Sequence, residues 1–283
     1  MTSPVRDGAT PLETLLALLV LEPLDRDLFL GDPGTGEGRL FGGMVAAQSL
    51  MAASLTLPDD RSLHSLHSYF LRGGVHDAPI RFVVDRIRDG RTFTTRRVTA
   101  HQQGAAIFNM SASFKTEEDG IEHQSPMPDA PPPEEAAEFV GMRQFRAPER
   151  PIRAMDSIIE LRMCDPFDPD PSPDDLSQRM WMRIGGELPD DPLIHTVLLV
   201  YATDISLMST AVRPHVARWK NSMTASLDHS VWIHRPFRFD DWILYACESP
   251  VGFAARGLCI GALFTRNGDR IATATQEALI RLG

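Results

Sequence analysis

The sequence predicts an α+β chain in which a helix-plus-antiparallel-sheet unit occurs twice. Three observations predict it. An alanine-rich helical stretch near residue 43 and an apolar one near 192 are each followed by a run of strand-like segments. Several strand motifs of the first run align with motifs of the second. A proline-rich stretch, "SPMPDAPPPEE" at 125–135, stands between them.

Each element has a local reason. Thr10, Pro11 and Glu13 form a capping signal, and Leu12, Leu15, Leu16 and Leu19 then make an apolar stripe, which predicts a first helix. "GDPGTGEGRLFGG" at 31–43 resembles a phosphate loop but meets neither template: no GK[ST] follows and the GxGxxG spacing fails. It reads as a glycine-rich turn feeding a helix over about Gly43 to Leu55, where Ala46, Ala47, Ala52 and Ala53 allow close packing; backbone amides at that helix start facing a ligand are the alternative. "SLHSYFLR", "IRFVVDRIR", "RTFTTRRVTAHQQ" and "AAIFNMSASFK" follow as a meander, with turns at Asp89-Gly90 and Gln103-Gly104.

The second unit begins at "DPLIHTVLLVYATDISLMSTAV" (191–212), with Asp191 as cap and Pro192 in the first helical position. "SLDHSVWIHR", "DWILYACES", "GFAARGLCIGALFTR" and "DRIATATQEALIR" are its expected strands, with a hairpin at Asn267-Gly268. In the alignment His67 to Phe70 lies over His229 to Trp232, Phe93 to Arg97 over Phe253 to Gly257, and Ile107 to Ser113 over Ile271 to Glu277. The expected division is a first repeat at 1–124, a linker at 125–150 and a second repeat at 151–283. A second acidic, proline-rich segment at 165–175 reads as a solvated loop.

Composition narrows the function classes. The 283 residues carry a formal charge of -10, a field that opposes phosphate backbones and argues against nucleic-acid binding. An anionic ligand would need a local basic pocket. Three cysteines without a CxxC point to neither a disulfide framework nor a structural zinc site. The first residues lack the apolar core of a signal peptide, the last three are not SKL, and no apolar run reaches the roughly 18 residues of a membrane span. The expectation is a cytoplasmic protein without metal or cofactor.

The duplication supplies an internal control. A polar group at a core position in one repeat, absent from the other, needs a reason. Asp204 ends a helix that is apolar nearly all round, whereas residues 42–57 contain no acid. A buried carboxylate must be partnered, neutralised or useful; an exposed Asp near a helix end is the alternative. On the last strand one face reads Ala272, Ala274, Gln276, Ala278 and Ile280, so Gln276 is its only polar group, and its aligned partner is Ala112. A structural glutamine is the alternative there. Ser226 opens "SLDHSVWIHR" on the same expected face as Asp228, Ser230, Trp232 and His234, a weak signal by itself. His229 and His234 are five apart, so they point to opposite faces and cannot share a metal. No HExxH and no GxSxG occurs. Asp228 and His234 read as local hydrogen-bonding groups.

These residues lie in motifs that resemble a known family, the acyl-CoA thioesterase II family of double hotdog fold. The resemblance covers nearly the whole chain. It rests on "RLFGG", "LHSLHSYFLRGG", "DRIRDGRTFTTRRVTAHQ", "IFNMSASF" and "EHQ" in the first half. In the second it rests on "YATDISLMSTAVRPH", "SLDHSVWIHRPFRFDDWILYACESP", "ARG" and "TQEALIR". The resemblance implies a catalytic aspartate, hydroxyl and glutamine, which fall on Asp204, Ser226 and Gln276. It also implies one site per chain with the first half degenerate, an acyl-CoA substrate, and a homo-oligomer. One departure is Met44, where the family usually has glutamine in "FGGQV".

The implied reaction is hydrolysis of an acyl-CoA to fatty acid and CoA by a water that Asp204 activates. Arg235, Arg238 and Arg256 are candidates for the phosphates. Two alternatives stay open: a non-catalytic acyl-CoA-binding hotdog protein, and a hotdog enoyl-CoA hydratase. The hydratase pattern resembled has a histidine five residues after the aspartate, and here that residue is Ser209.

Overall fold

A computed structural model describes residues 8–139, 158–165, 168, 170–215 and 223–281. In the first half, α1 (Pro11–Leu18) precedes β1 (Glu22–Asp25) and β2 (Leu28–Gly31). Then come α2 (Gly42–Ser54), β3 (Ser62–Phe70), β4 (Ile80–Asp89), β5 (Phe93–Gln102) and β6 (Ala105–Lys115). The second half holds β7 (Ala137–Glu138), β8 (Ile159–Met163), β9 (Ser177–Ile184), α3 (Pro192–Thr203) and α4 (Leu207–Val212). It ends with β10 (Met223–Ser226), β11 (Asp228–Ile233), β12 (Ile243–Phe253), β13 (Arg256–Thr265) and β14 (Arg270–Arg281).

The described strands form one antiparallel sheet in the order β1-β2-β4-β5-β6-β3-β11-β14-β13-β12-β9-β8-β7, with β10 on β14. Each half wraps its meander on its own helices, the hotdog arrangement. The halves meet edge to edge at β3 and β11, from Asp228 opposite Tyr69 to Trp232 opposite Ser65. On the inner side α2 packs against α3.

Local chemistry accounts for the helix ends. The Thr10 hydroxyl accepts from Glu13 N at 3.2 Å, and the Glu13 carboxylate accepts from Thr10 N at 2.7 Å, closing the capping box. Asp191 accepts from Leu193 N at 2.9 Å at the start of α3. Ala46, Ala47, Ala52 and Ala53 are all fully buried. The close approach of α2 to α3 requires glycine at position 43: a Cβ there would stand 2.3 Å from the Tyr201 carbonyl oxygen.

Several elements differ from the expectation. The expected strand through "GFAARGLCIGALFTR" is two strands. Ala254 and Ala255, with φ of 50° and 58°, form a tight hairpin turn between β12 and β13. Phe253 therefore ends a strand whereas Phe93 begins one, and the alignment of those two motifs fails. Positive φ at two successive alanines carries no compositional signal, since such turns ordinarily take Gly or Asn. β1, β2, β8 and β9 were not expected; β1, β2 and β8 are short, and β9 follows the acidic, proline-rich segment at 165–175 closely. Ala137–Glu138, within the expected linker, pairs with β8. The rest of the described linker lies on the second half: Trp181 Nε1 donates to Pro131 O at 2.7 Å, and Gln124 bonds Gly268 O and Arg270 N. Residues 140–157, and residues 166, 167 and 169 of the acidic loop, lie outside the described residues.

The expected absence of an apolar run long enough for a membrane span needs a correction. Pro192–His215 reaches that length and hydropathy, because the polar Thr203, Asp204, Ser206 and Ser209 are too few to lower its mean. Most of the segment is buried in the protein core, and its helix is broken at 204–206.

Candidate active site

Asp204 is the residue at which α3 stops. Its carboxylate is drawn into the space between the C-terminal end of α3 and the first turn of α2. Ser226 Oγ donates to Oδ1 at 3.1 Å, Gln276 Nε2 donates to the same oxygen at 3.0 Å, and the Gly43 backbone N–H donates to the carboxylate. Phe41, which precedes α2, gives that helix no side-chain cap. Asp204 supplies the missing acceptor from the other half of the molecule. Gly42 is constrained by the same arrangement, since a Cβ on it would lie 2.8 Å from Asp204 Oδ2 and 2.6 Å from the Phe70 ring.

Two effects compete at this carboxyl. Burial disfavours the charge, while the three donors favour it. Burial wins, and the pKa is pushed up to about 6. The group is still ionised at neutral pH and basic enough to take a proton.

Gln276 and Ser226 reach Asp204 from neighbouring strands. Gln276 is fully buried on the inner face of β14, where its periodicity placed it. Ser226 arrives by a route the periodicity missed. Regular alternation would leave it on the face of Asp228 and Ser230. In the structure Ser226 pairs with Ala278 and Ser230 with Thr275, so four steps on one side oppose three on the other. The extra residue is a β-bulge at Leu227–Asp228. Leu227 N donates to Glu277 O, and the Asp228 carboxylate accepts from Glu277 N at 2.8 Å. The bulge turns Ser226 inward, with its Oγ 2.5 Å from Gln276 Nε2. Asp204, Ser226 and Gln276 therefore meet as one hydrogen-bonded group.

A fourth residue was passed over. His229 is fully buried, its Nδ1 lies 3.1 Å from Gln276 Oε1, and its Nε2 lies 2.9 Å from Thr203 Oγ1. The alignment that set His67 against His229 is one position out on this strand. Val231 pairs with Ala274 while Ser68 pairs with Met110, and Leu66 pairs with Ala112. Given Gln276 over Ala112, His229 lies over Leu66, and His67 is exposed. In that register the repeat comparison picks out His229 too: a buried imidazole where the other half has leucine.

Other expectations resolve around this centre. His234 is exposed and bonds Thr273 Oγ1 at 2.8 Å, on the face opposite His229. Ser209 bonds the Ser206 carbonyl at 2.6 Å. Met44 is buried in the core one residue past Gly43. Arg235, Arg238 and Arg256 are all engaged, with Asp269, Asp240 and Asp190, and Glu277 respectively. A surface cleft of about 420 Å³ in the first half is lined by Arg61, Arg86 and Arg96, but none of the Asp204 group lines it. Its arginines also face carboxylates, those of Asp60, Asp27 and Asp89. Among the described residues no group of three potential metal ligands occurs.

The double hotdog sets a buried carboxylate at the end of α3 against an amide and a hydroxyl on the inner sheet face, and sequence comparison supplies the class of protein. Residues 172–279 match a family model described as acyl-CoA thioesterase, and residues 32–115 one described as acyl-CoA thioesterase N-terminal domain. The chain is 37% identical to mouse acyl-coenzyme A thioesterase 8, over 94% of this chain and 88% of that one. It is 38% identical to acyl-CoA thioesterase 2 of Haemophilus influenzae, over 95% and 98%. A crystal structure of an acyl-CoA thioesterase II from Mycobacterium marinum superposes with a TM-score of 0.82 at 39% identity, covering 95% and 98%. The chain belongs to the acyl-CoA thioesterase II family, and its reaction is the hydrolysis of acyl-CoA thioesters.

Proposed function

We propose that Asp204, Ser226 and Gln276 carry this hydrolysis at a single site in the second half. The supporting observation is the buried Asp204 carboxylate, held by Ser226 Oγ, Gln276 Nε2 and the Gly43 N–H, with its pKa near 6. A water bound among the three groups has a base at Asp204 and two hydrogen-bonding partners to aim its lone pair. As the water attacks the thioester carbonyl, Asp204 accepts its proton. General-base assistance of this kind contributes about 10²–10⁴ in rate, and positioning adds to it. Collapse of the tetrahedral adduct expels the CoA thiolate, which takes the proton back from Asp204. The electron count closes with no covalent enzyme intermediate.

The first half is a degenerate copy: Ala112 and Leu66 stand where the second has Gln276 and His229. The unit boundaries follow the same reading, with the first hotdog at 1–124, a linker at 125–150 that lends the strand Ala137–Glu138 to the second half, and the catalytic hotdog at 151–283. The protein works in the cytoplasm as a homo-oligomer, the assembly expected of hotdog sheets that join edge to edge. The test is thiol release from an acyl-CoA chain-length series with a thiol-reactive dye, paired with acid-quench mass spectrometry of the protein. Turnover without an acylated protein species is expected. A trapped acyl-enzyme on Ser226 or any other side chain would overturn direct attack by water.

A further inference from the structure

We infer that His229 is a positioning residue whose Nδ1–H fixes which end of the Gln276 amide faces Asp204. The inference rests on the catalytic reading above and deepens it. An amide has a donor end and an acceptor end of nearly the same shape, and only its surroundings decide between them. The Asp204 carboxylate and the Ser226 hydroxyl call for the NH₂ end, at 3.0 Å and 2.5 Å. Rotating the amide by 180° would set a carbonyl oxygen against the carboxylate and would also evict the water's donor. What opposes that rotation lies on the far side. Gln276 Oε1 can only accept, so the His229 nitrogen 3.1 Å away must carry a hydrogen. With Nδ1–H in place, the flipped amide would meet donor with donor at the ring and acceptor with acceptor at Asp204.

The tautomer is itself held. Burial keeps the ring neutral, its pKa pushed down to about 4, so Nε2 is a bare acceptor once Nδ1 is protonated. Thr203 Oγ1, 2.9 Å from Nε2, is its donor. The same hydroxyl lies 3.0 Å from Val200 O, but that carbonyl belongs to the helix α3, whereas a ring lone pair left without a donor in the core would go unmet. The backbone is fixed as well, since Ser68 Oγ of the first half donates to His229 O at 2.7 Å. The chain of bonds thus runs from Thr203 through His229 and Gln276 to Asp204, the residue next to Thr203. It starts and ends on one helix terminus, so the amide is clamped relative to the carboxylate.

Leucine at position 66 shows that this sheet position accepts an aliphatic side chain, which makes His229→Leu the direct test. Thiol release should show kcat lowered by about tenfold or more with KM changed less than about threefold. His229→Asn, whose amide N–H can replace Nδ1–H, should restore most of kcat. In a Gln276→Ala background, His229→Leu should cause no further loss, because the imidazole acts only through that amide. Nitrogen-15 NMR of the unaltered protein should show His229 protonated at Nδ1 and bare at Nε2. The inference is overturned if His229→Leu turns over normally, if its loss multiplies with that of Gln276→Ala, if asparagine is no better than leucine, or if Nδ1 is bare. Normal turnover of Asp204→Asn would instead remove the catalytic reading beneath it, so the two failures are separable.

Discussion

Asp204→Asn changes one atom and separates two roles of the same carboxyl. A group whose pKa is about 6 in the fold, against an ordinary 3.8, costs the folded state about 3 kcal/mol once ionised. The sign follows from the protons held. Between pH 3.8 and 6 the folded protein binds more protons than the unfolded chain, so stability falls as pH rises through that window and is level above it. Asparagine does not titrate and escapes this loss. It brings a constant penalty instead, because its NH₂ meets the Gly43 N–H that the carboxylate accepts; an unmet buried group costs about 1–3 kcal/mol. The absolute change in stability is therefore a difference of similar quantities, but its pH dependence is not. Relative to the unsubstituted protein, the melting temperature of Asp204→Asn should rise by roughly 5–10 °C between pH 4 and pH 7. Over the same range kcat/KM of the unsubstituted protein should climb to a plateau above about pH 6. The variant should lose about 10²–10⁴ in kcat and lack that limb. Differential scanning calorimetry and thiol release measure the two. Near-normal turnover removes Asp204 as the base, and a pH-independent melting difference refutes the buried-carboxyl argument.

Three further outcomes follow from the same geometry. Ser226→Ala and Gln276→Ala should each reduce kcat less than Asp204→Asn, and the double variant should lose less than the product of the single losses, since all act on one water. Gly43→Ala would place a methyl 2.3 Å from Tyr201 O, so both melting temperature and kcat should fall, while Gly120→Ala, with no atom near its added Cβ, serves as the neutral control in both assays. Met44→Gln places an amide in the core and should lower the melting temperature, with KM or chain-length preference moved more than kcat; a general gain in kcat at constant KM would contradict that role.

The legible part of this protein was whatever a local pattern encodes. Asp191-Pro192 and Thr10-Pro11 start helices through their own side chains and ring, so those starts needed no partner to be seen. Gln276 stood out because a single glutamine interrupts an alanine face of period two, and Asp204 because an acid ends an apolar helix. The duplication and the family resemblance were readable for the same reason, as patterns compared with patterns.

What remained for the tertiary structure was set by register and by contacts between halves. The bulge at Leu227–Asp228 reverses the facing of Ser226, and a bulge is a property of two strands together. His229 stayed hidden because one residue of slip in the repeat alignment exchanges inside for outside, setting an exposed His67 where Leu66 belongs. The turn at Ala254–Ala255 is imposed by the strands on either side, against the preference of alanine. The glycines of "FGG" read in sequence as part of a glycine-rich turn feeding a helix. In the fold, position 43 lets α2 touch the Tyr201 carbonyl and position 42 leaves room for Asp204, two contacts that join residues about 160 apart in sequence. The sequence by itself determined which residues were too polar for the core. Only packing one half on the other decided that they share a single cluster of hydrogen bonds, because the energy of a buried carboxylate depends on donors brought to it from both.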